Sequence, residues 1–119
     1  MTMAAPALKL VEDVIENVSI LEVHGRLDST TAKEFSDRLI ELVQAGQSGI
    51  LVDLKNMAYI SSAGFHVLLI ADRVAAERRC KLALCGVIGE VRRLFEIGGF
   101  TGRFVIYRTQ ADGIARLRQ

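Results

Sequence analysis

The chain passes from a strand pattern to a helix pattern within the segment Tyr59-Ile60-Ser61-Ser62-Ala63-Gly64-Phe65. Before this serine segment, the apolar run at residues 50–54 predicts a buried strand. After it, residues 66–77 contain neither glycine nor proline and predict a helix that starts at Phe65. Ser61 and Ser62 are therefore expected where the chain enters that helix.

Helix chemistry allows two interpretations of these serines. The first N–H groups of a helix have no partner inside it, so a serine hydroxyl at the junction can accept a hydrogen bond from one of them and cap the helix. A phosphate on the serine would lie near the same N–H groups and the positive end of the helix dipole, where a dianion is well tolerated. Local chemistry alone favours the cap, because serine caps are common.

Length and composition indicate one compact domain, since the chain has 119 residues and 50% of them are hydrophobic. We expect a single domain over residues 1–119, with residues 1–7 as a flexible N-terminal tail. The net charge of +1 gives no strong attraction to nucleic acid or to an anionic membrane. The longest apolar run, residues 67–71, is too short to span a bilayer, and residues 1–6 lack the features of a signal peptide. A cytoplasmic protein is expected.

The rest of the pattern predicts an α/β fold, a mixed sheet with helices packed largely on one face. Residues 8–15 and 18–23 predict an antiparallel hairpin. A helix then begins at 29–31, where Thr31 and Glu34 have capping-box spacing, and stops at Gly46. Further elements are predicted in the order strand 50–54, helix 65–77, strand 82–85, a helix ending at 98–99, strand 104–107 and helix 111–117. The order is β-β-α-β-α-β-α-β-α, with a right-handed βαβ crossover in the middle.

The helix after the serines is apolar almost all the way round, and His66, Arg73 and Glu77 form its narrow polar edge. One sheet cannot cover so much apolar surface. Either a part near the helix start stays exposed as an interaction surface, or a neighbouring helix covers it. An exposed face would also leave a weak homodimer open.

The residues that enzymes and cofactors need are mostly missing. The glycine-bearing loops lack the lysine of a Walker loop and the third glycine of a dinucleotide fingerprint. His66 follows Ser62 by four residues, but no third group is identifiable to orient its imidazole. The spacing of Cys80 and Cys85 fits neither a CxxC redox pair nor a zinc site, and His24 stands alone. We therefore expect no enzyme, no cofactor and no metal.

An ordered set of landmarks resembles a known family. The landmarks are Gly25-Arg26-Leu27-Asp28, Leu51-Val52-Asp53-Leu54, the serine segment, Leu82-Ala83-Leu84-Cys85-Gly86 and Val91-Arg92-Arg93-Leu94-Phe95. Together they closely resemble STAS domains and, more narrowly, the anti-sigma factor antagonists of bacterial partner-switching systems. The resemblance extends from residue 8 to residue 117.

The resemblance implies a phosphorylation site. The family carries an Asp-Ser-(Ser/Thr)-Gly segment, and an anti-sigma kinase phosphorylates its first serine. Here Ser61 stands at the aspartate, Ser62 at the phosphorylated serine, Ala63 at the second hydroxyl residue and Gly64 at the glycine. Ser62 is therefore the implied acceptor and Ser61 the second choice. The change at Ser61 removes an acidic group that could help to position the acceptor for a kinase.

The resemblance also implies partners. The unphosphorylated protein would bind an anti-sigma factor with serine kinase activity, a serine phosphatase would remove the phosphate, and neither nucleic acid nor membrane would be bound directly. Asp28 matches the aspartate of the family's Gly-x-Leu-Asp segment, which lies near the same surface. The implied partner-binding residues are Asp28, Ser61, Ser62, Ala63, Gly64, Phe65 and His66.

Two other functions stay open. A STAS module can act without phosphorylation, as a scaffold or as a subunit of a sensory or lipid-transport complex, and Ser61 and Ala63 in place of the usual residues favour this. A small-ligand or nucleotide-binding domain is the other alternative, and the missing phosphate-binding loop argues against it.

Overall fold

A computed structural model describes residues 7–118 of the chain. Its strands are β1 Leu8–Ile15, β2 Val18–Leu27, β3 Gly49–Asp53, β4 Met57–Ile60, β5 Lys81–Cys85 and β6 Ile106–Tyr107, and its helices are α1 Ala32–Gln44, α2 Ser62–Glu77, α3 Gly89–Gly98 and α4 Gln110–Leu117. The predicted tail lies outside the described residues except for Ala7. The Ala7 carbonyl accepts a hydrogen bond from the Arg26 N–H at 2.8 Å, which holds Ala7 against β2.

One mixed sheet organises the described chain, with strand order β1-β2-β3-β5-β6 and β4 paired to β2. β1 is antiparallel to β2, and the other pairings are parallel. β2 is long enough for two partners on one side, because residues 18–22 pair with β3 and residues 25–27 with β4. At the change of partner, Gly25 has φ +98°, and a Cβ there would lie 2.4 Å from the Ala7 carbonyl oxygen. The positive φ and the close approach of the Ala7 carbonyl therefore require glycine at residue 25.

Helices cover the two faces of the sheet unequally. α1, α2 and α3 pack on one face over the larger core, which contains the fully buried Phe35, Leu68 and Phe95. On the other face, Leu117 of α4 packs in a smaller cluster with Leu51. β3 is buried along its whole length, as expected of a parallel strand covered on both faces. The predicted α/β fold with helices largely on one face is confirmed.

The sequence pattern missed β4, and the observed order is β-β-α-β-β-α-β-α-β-α. This strand has four residues, of which only Met57 and Ile60 are buried. A strand so short shows too little alternation to be separated from a loop. Its pairing with the end of β2 nevertheless fixes the serine segment in space, because β4 leads directly into it.

The other elements differ from the prediction mainly at their ends. The hairpin is confirmed, and Glu16 and Asn17 form its turn with φ of +52° and +66°, as in a type I′ turn. β2 continues to Leu27, α2 begins at Ser62, and β6 has only two residues. Backbone hydrogen bonds define these ends, and the hydrophobic pattern does not report them.

The apolar circumference of α2 is shared between the sheet and α1, which packs alongside it. Ile70 is the only large apolar side chain of α2 that is exposed, at 39%. The buried residues of α2 are Gly64, Phe65, Val67, Leu68, Ala71 and Ala75. A neighbouring helix therefore covers most of the apolar surface and a small part stays exposed, so each sequence-based expectation is met in part.

Candidate functional site

Two loops meet at the carboxyl edge of the sheet, one after β2 and one after β4. Leu27 and Ile60 are register partners at the ends of these parallel strands. The Ser61 N–H donates to the Leu27 carbonyl at 2.9 Å. Asp28 and Ser61, the next residues along each chain segment, therefore leave the sheet from neighbouring positions. The structure brings together two segments that lie far apart in the sequence.

Asp28 is held in place by its own loop. Its Oδ1 accepts hydrogen bonds from the Thr30 hydroxyl at 2.6 Å and the Thr30 N–H at 2.9 Å, and its Oδ2 lies 3.5 Å from Nε of Arg26. The hydrogen bonds from Thr30, led by that of the hydroxyl, hold the pKa of Asp28 below its ordinary value. The Arg26 guanidinium also lies 4.8 Å from the centre of the Tyr59 ring. Asp28 is thus a fixed, ionised group beside the serine segment.

Thr31 occupies the N-cap position of α1, but the predicted capping box is wrong. Its side chain makes no cap hydrogen bond to the helix. The hydroxyl donates instead to the Arg26 carbonyl at 2.9 Å and accepts from the Asp28 N–H at 3.0 Å. Because the Thr31 hydroxyl is used within the loop, it orders Asp28 and leaves Glu34 without its predicted partner.

The start of α2 has no side-chain cap. Ser61 takes the extended N-cap conformation, with φ −98° and ψ 176°, yet its hydroxyl makes no bond to the helix. The Ser61 Oγ is buried and has no hydrogen-bond partner among residues 7–118. The first turn of α2 also carries no acidic residue. The predicted hydrogen bond from a serine cap is therefore wrong, and no side chain of α2's own first turn offsets the positive end of the helix dipole.

Ser62 differs from Ser61 in its accessibility. Ser62 is the first residue of α2 and is exposed, whereas the Oγ of Ser61 is buried. A modifying enzyme must reach the hydroxyl that it modifies. Of the two serines, the structure thus presents Ser62 to solvent and to other proteins.

Gly64 and Phe65 are the buried residues of the first turn of α2, directly after the serines and Ala63. A Cβ on Gly64 would lie 2.8 Å from side-chain carbons of both Leu27 and Ile60, so glycine lets α2 approach the ends of β2 and β4. Phe65 is 6% exposed, and its ring stacks on Phe100 with centroids 4.1 Å apart. Both residues are buried in the free chain, and their part in partner binding stays a prediction.

Ala63 and His66 complete the predicted set. Ala63 is half-buried and His66 is exposed. His66 follows Ser62 by one helical turn, so the two residues lie on the same side of α2. Within the described structure no hydrogen bond orients the His66 ring, in contrast to the base of a hydrolytic triad.

Sequence reasoning missed a second polar group at the same edge of the sheet. Asp53, at the end of β3, is 7% exposed and accepts hydrogen bonds from the Gln110 amide at 2.7 Å and the Lys55 N–H at 2.9 Å. Gln110 also donates to Glu22 at 3.2 Å. Burial first, and then Asp53, raises the pKa of the Cys85 thiol beneath them to about 12. These bonds join the start of α4 to the sheet, and the only sequence signal was an acidic residue within an apolar run.

The described residues carry no candidate metal site and no membrane-spanning helix. Across residues 7–118 there is no group of three side chains suited to bind a metal ion. His24 lies 3.2 Å from Glu22 and contacts no second acidic residue in the described range. No described helix has the length and apolar character needed to cross a membrane.

Family comparison identifies this arrangement. The family model described as STAS domain matches residues 9–113 of the chain. The chain belongs to the STAS family. Its sheet and four helices are therefore the STAS fold, and the resemblance found in the sequence landmarks is confirmed.

Several proteins similar to this STAS domain are named anti-sigma factor antagonists. A candidate anti-sigma factor antagonist of Bordetella bronchiseptica is 30% identical over 111 residues, which are 93% of this chain and 96% of that protein. The crystal structure of an anti-sigma factor antagonist from Mycobacterium paratuberculosis matches with a TM-score of 0.86 at 19% identity, over 98% of this chain and 100% of that one. The phosphorylated form of the Bacillus cell fate determinant SpoIIAA matches with a TM-score of 0.69 at 19% identity, over 92% and 98%. The names of these relatives describe a regulatory role.

Proposed function

We propose that this STAS domain is an anti-sigma factor antagonist in a bacterial partner-switching pathway. In its unphosphorylated form it binds an anti-sigma factor that is also a serine kinase, and a sigma factor is released. Phosphorylation of Ser62 by that kinase breaks the complex, and a serine phosphatase restores binding. The names of its relatives support this role, and SpoIIAA has been solved in a phosphorylated form. The pathway would operate in the cytoplasm, without direct contact to nucleic acid.

The observation that carries the proposal is an exposed serine at a helix start that no side chain caps. Ser62 is accessible while the Ser61 Oγ is buried, which favours Ser62 as the acceptor. A phosphate there would lie beside N–H groups that have no intrahelical partner and near the positive end of the α2 dipole. The free protein can therefore accept the modification without a change of fold.

The same phosphate would oppose the complex. It adds about two negative charges at pH 7, and they would lie on the side of α2 that carries His66 and the exposed Ile70. Binding would bury these charges against a partner that evolved to meet a neutral hydroxyl, and desolvation of unpaired charge is costly. Release then follows from local electrostatics alone.

Asp28 provides an acidic group beside the serines in the absence of the family's aspartate at Ser61. Its carboxylate is held by Thr30 and stays ionised. It leaves the sheet next to Ser61, because Leu27 and Ile60 are paired. We therefore assign Asp28 to the partner-binding surface, together with Ser62, the half-buried Ala63 and His66.

The decisive experiment compares three variants of Ser62 in binding to a purified cognate anti-sigma kinase. Ser62→Ala should bind like the wild type, and Ser62→Asp should lose affinity by about tenfold or more, equivalent to about 1.4 kcal/mol. Ser62→Asn has the shape of the aspartate without its charge and serves as the matched control. Equal affinity of the Asp and Asn variants would remove the electrostatic switch.

The acceptor is identified separately, by mass spectrometry after incubation with the kinase and ATP. Phosphate is expected on Ser62 and not on Ser61. The Ser61→Ala variant should still be phosphorylated, and Ser62→Ala should not. Modification confined to Ser61 would overturn the assignment, because it would require the start of α2 to open.

A phosphorylation-independent scaffold, or a subunit of a sensory or lipid-transport complex, is the second candidate. Ser61 and Ala63 favour it, since they replace an acidic and a hydroxyl residue of the family segment. The two candidates give opposite results when ATP is added to the preformed complex. Dissociation supports the switch, and persistence of the complex together with an unmodified chain supports the scaffold.

A further inference from the structure

A groove runs beside α2 beyond the serine segment. It lies between the outer side of the helix and the loop that follows α3, and its volume is about 310 Å³. Its lining residues are His66, Leu69, Ile70, Asp72, Arg73 and Arg103. We refer to it as the α2 groove.

The charges of the α2 groove are not satisfied within the described structure. Arg73 and Arg103 are exposed, and neither has a carboxylate within 4.0 Å among residues 7–118. By contrast, Arg38, Arg92 and Arg93 on α1 and α3 each form an ion pair on their own helix. The two arginines of the groove are thus available to an external anion.

The α2 groove also has an apolar part and one acidic group. Ile70 is 39% exposed, and Leu69 beside it is half-buried. Asp72 lies in the same groove, and partial burial raises the pKa of its carboxyl. Two arginines against one aspartate leave the groove with an excess of positive charge at neutral pH, in addition to an apolar contact surface.

The groove continues the surface around Ser62. Residues 62, 66, 70 and 73 follow one another at steps of four, four and three along α2, and residue 69 follows residue 66 by three, which places them on one side of the helix. A protein that covers Ser62 and His66 is therefore in reach of Ile70 and Arg73. Arg103 faces the same groove from the neighbouring loop.

We propose that the α2 groove receives an acidic segment of the anti-sigma partner, with an apolar side chain against Ile70 and carboxylates on Arg73 and Arg103. This inference rests on the proposed function and extends its interface by about three helical turns beyond the switch serine. Charge complementarity selects the occupant, since an acidic segment meets the unpaired guanidinium groups and a basic one meets only Asp72. Charges at the edge of an interface mainly raise the association rate and make it sensitive to salt.

The test uses the full chain and a purified cognate anti-sigma kinase. The double variant Arg73→Glu/Arg103→Glu is expected to bind about tenfold to a hundredfold more weakly, with a smaller dependence of the association rate on salt. The control variant Arg108→Glu/Arg116→Glu changes the net charge by the same amount as the groove variant. Arg108 directly follows β6 and Arg116 lies on α4. This control is expected to bind the kinase like the wild type. Ile70→Ala should weaken binding without altering the salt dependence. Thermal melts of all variants establish that each is folded.

The outcomes separate this inference from the function on which it rests. If Arg73→Glu/Arg103→Glu binds like the wild type while Ser62→Asp does not, the groove proposal is overturned and the switch stands. Equal losses of affinity in Arg73→Glu/Arg103→Glu and in Arg108→Glu/Arg116→Glu would also overturn the groove proposal, because the change in net charge alone would explain them. A wild-type chain without affinity for the kinase would overturn both proposals. If the groove variant instead abolished self-association seen by sedimentation and left kinase binding intact, the occupant would be a second copy and the acidic-segment proposal would be wrong.

Discussion

Replacement of Gly64 by alanine tests whether the close approach of α2 to the sheet positions the switch serine. The added Cβ would lie 2.8 Å from carbons of both Leu27 and Ile60, and 3.0 Å from a second carbon of Leu27. These two side chains are 0% and 1% exposed, so neither has free space to move into. The helix start must therefore shift away from β2 and β4.

The size of the effect is the difference between two opposing terms. Overpacking of a well-packed core costs about 1–3 kcal/mol. Alanine is favoured over glycine inside a helix by at most about 1 kcal/mol, and less in its first turn. Because three contacts of Gly64 are at or below 3.0 Å, we expect a net loss of about 1–2 kcal/mol in the free energy of unfolding. For a domain of this size the melting temperature should fall by about 4–10 °C.

The assay is urea and thermal unfolding, with Gly102→Ala as the matched control. A Cβ on Gly102 would meet nothing within 4 Å, so that variant should be unchanged or stabilised by up to about 1 kcal/mol through the unfolded state. In a Leu27→Ala background, which removes two of the three short contacts, Gly64→Ala should cost about 0.5–3 kcal/mol less. If Gly64→Ala is as stable as Gly102→Ala, the argument from close approach is refuted.

Two further predictions concern groups around the site. Ser61→Ala should leave the free energy of unfolding unchanged or raise it by up to about 1 kcal/mol, because the buried Oγ that it removes has no hydrogen-bond partner among the described residues. Thr109→Ala should lower it by about 1 kcal/mol, because the Thr109 hydroxyl caps α4 by accepting from the Asp112 N–H at 3.2 Å. Urea melts measure the free energy of unfolding of both variants. Equal losses would contradict the conclusion that the Ser61 hydroxyl does not cap α2. Thr30→Ala should raise the pKa of Asp28 towards 3.8, which an NMR titration measures. The pKa of Asp28 is lower in the folded chain than in the unfolded chain, so its ionised carboxylate stabilises the fold above pH 3.8. This contribution is lost as the pH falls through the pKa of Asp28 in the folded chain. Over that acidic range the wild type should lose more stability than Thr30→Ala.

The elements that the sequence predicted are those whose burial follows a local period. The hairpin, α1 and the crossover through α2 each carry enough alternating or helical apolar positions to identify their type. β4 does not, since two of its four residues face outward or are half-buried. The ends of β2 and α2 also escaped, because they depend on pairing between Leu27 and Ile60, which are distant in the sequence.

The candidate site was predictable in its residues and not in its contacts. Asp28 and the serine segment were found through their resemblance to a family pattern, and their adjacency comes from the register of β2 and β4. No pattern could show that the Ser61 Oγ is buried or that Thr31 closes the Asp28 loop, since both depend on packing. The bond between Asp53 and Gln110, 57 residues apart, is of the same kind.

The uncapped start of α2 would favour the phosphorylated form of the free chain in the proposed switch. A charge near the first turn of a helix is stabilised by about 0.3–1 kcal/mol when exposed, and the described residues of α2's first turn supply no carboxylate to compete with a phosphate for it. In the proposed switch the helix start would stabilise the phosphate of the free chain. Only the part of this stabilisation that is lost on binding, together with the desolvation cost of the phosphate in the complex, would weaken affinity. Each 1.4 kcal/mol of their sum is worth about tenfold in affinity. A carboxylate at residue 61 would already occupy the helix start, so serine at this position should increase the stabilising part of the phosphate's effect.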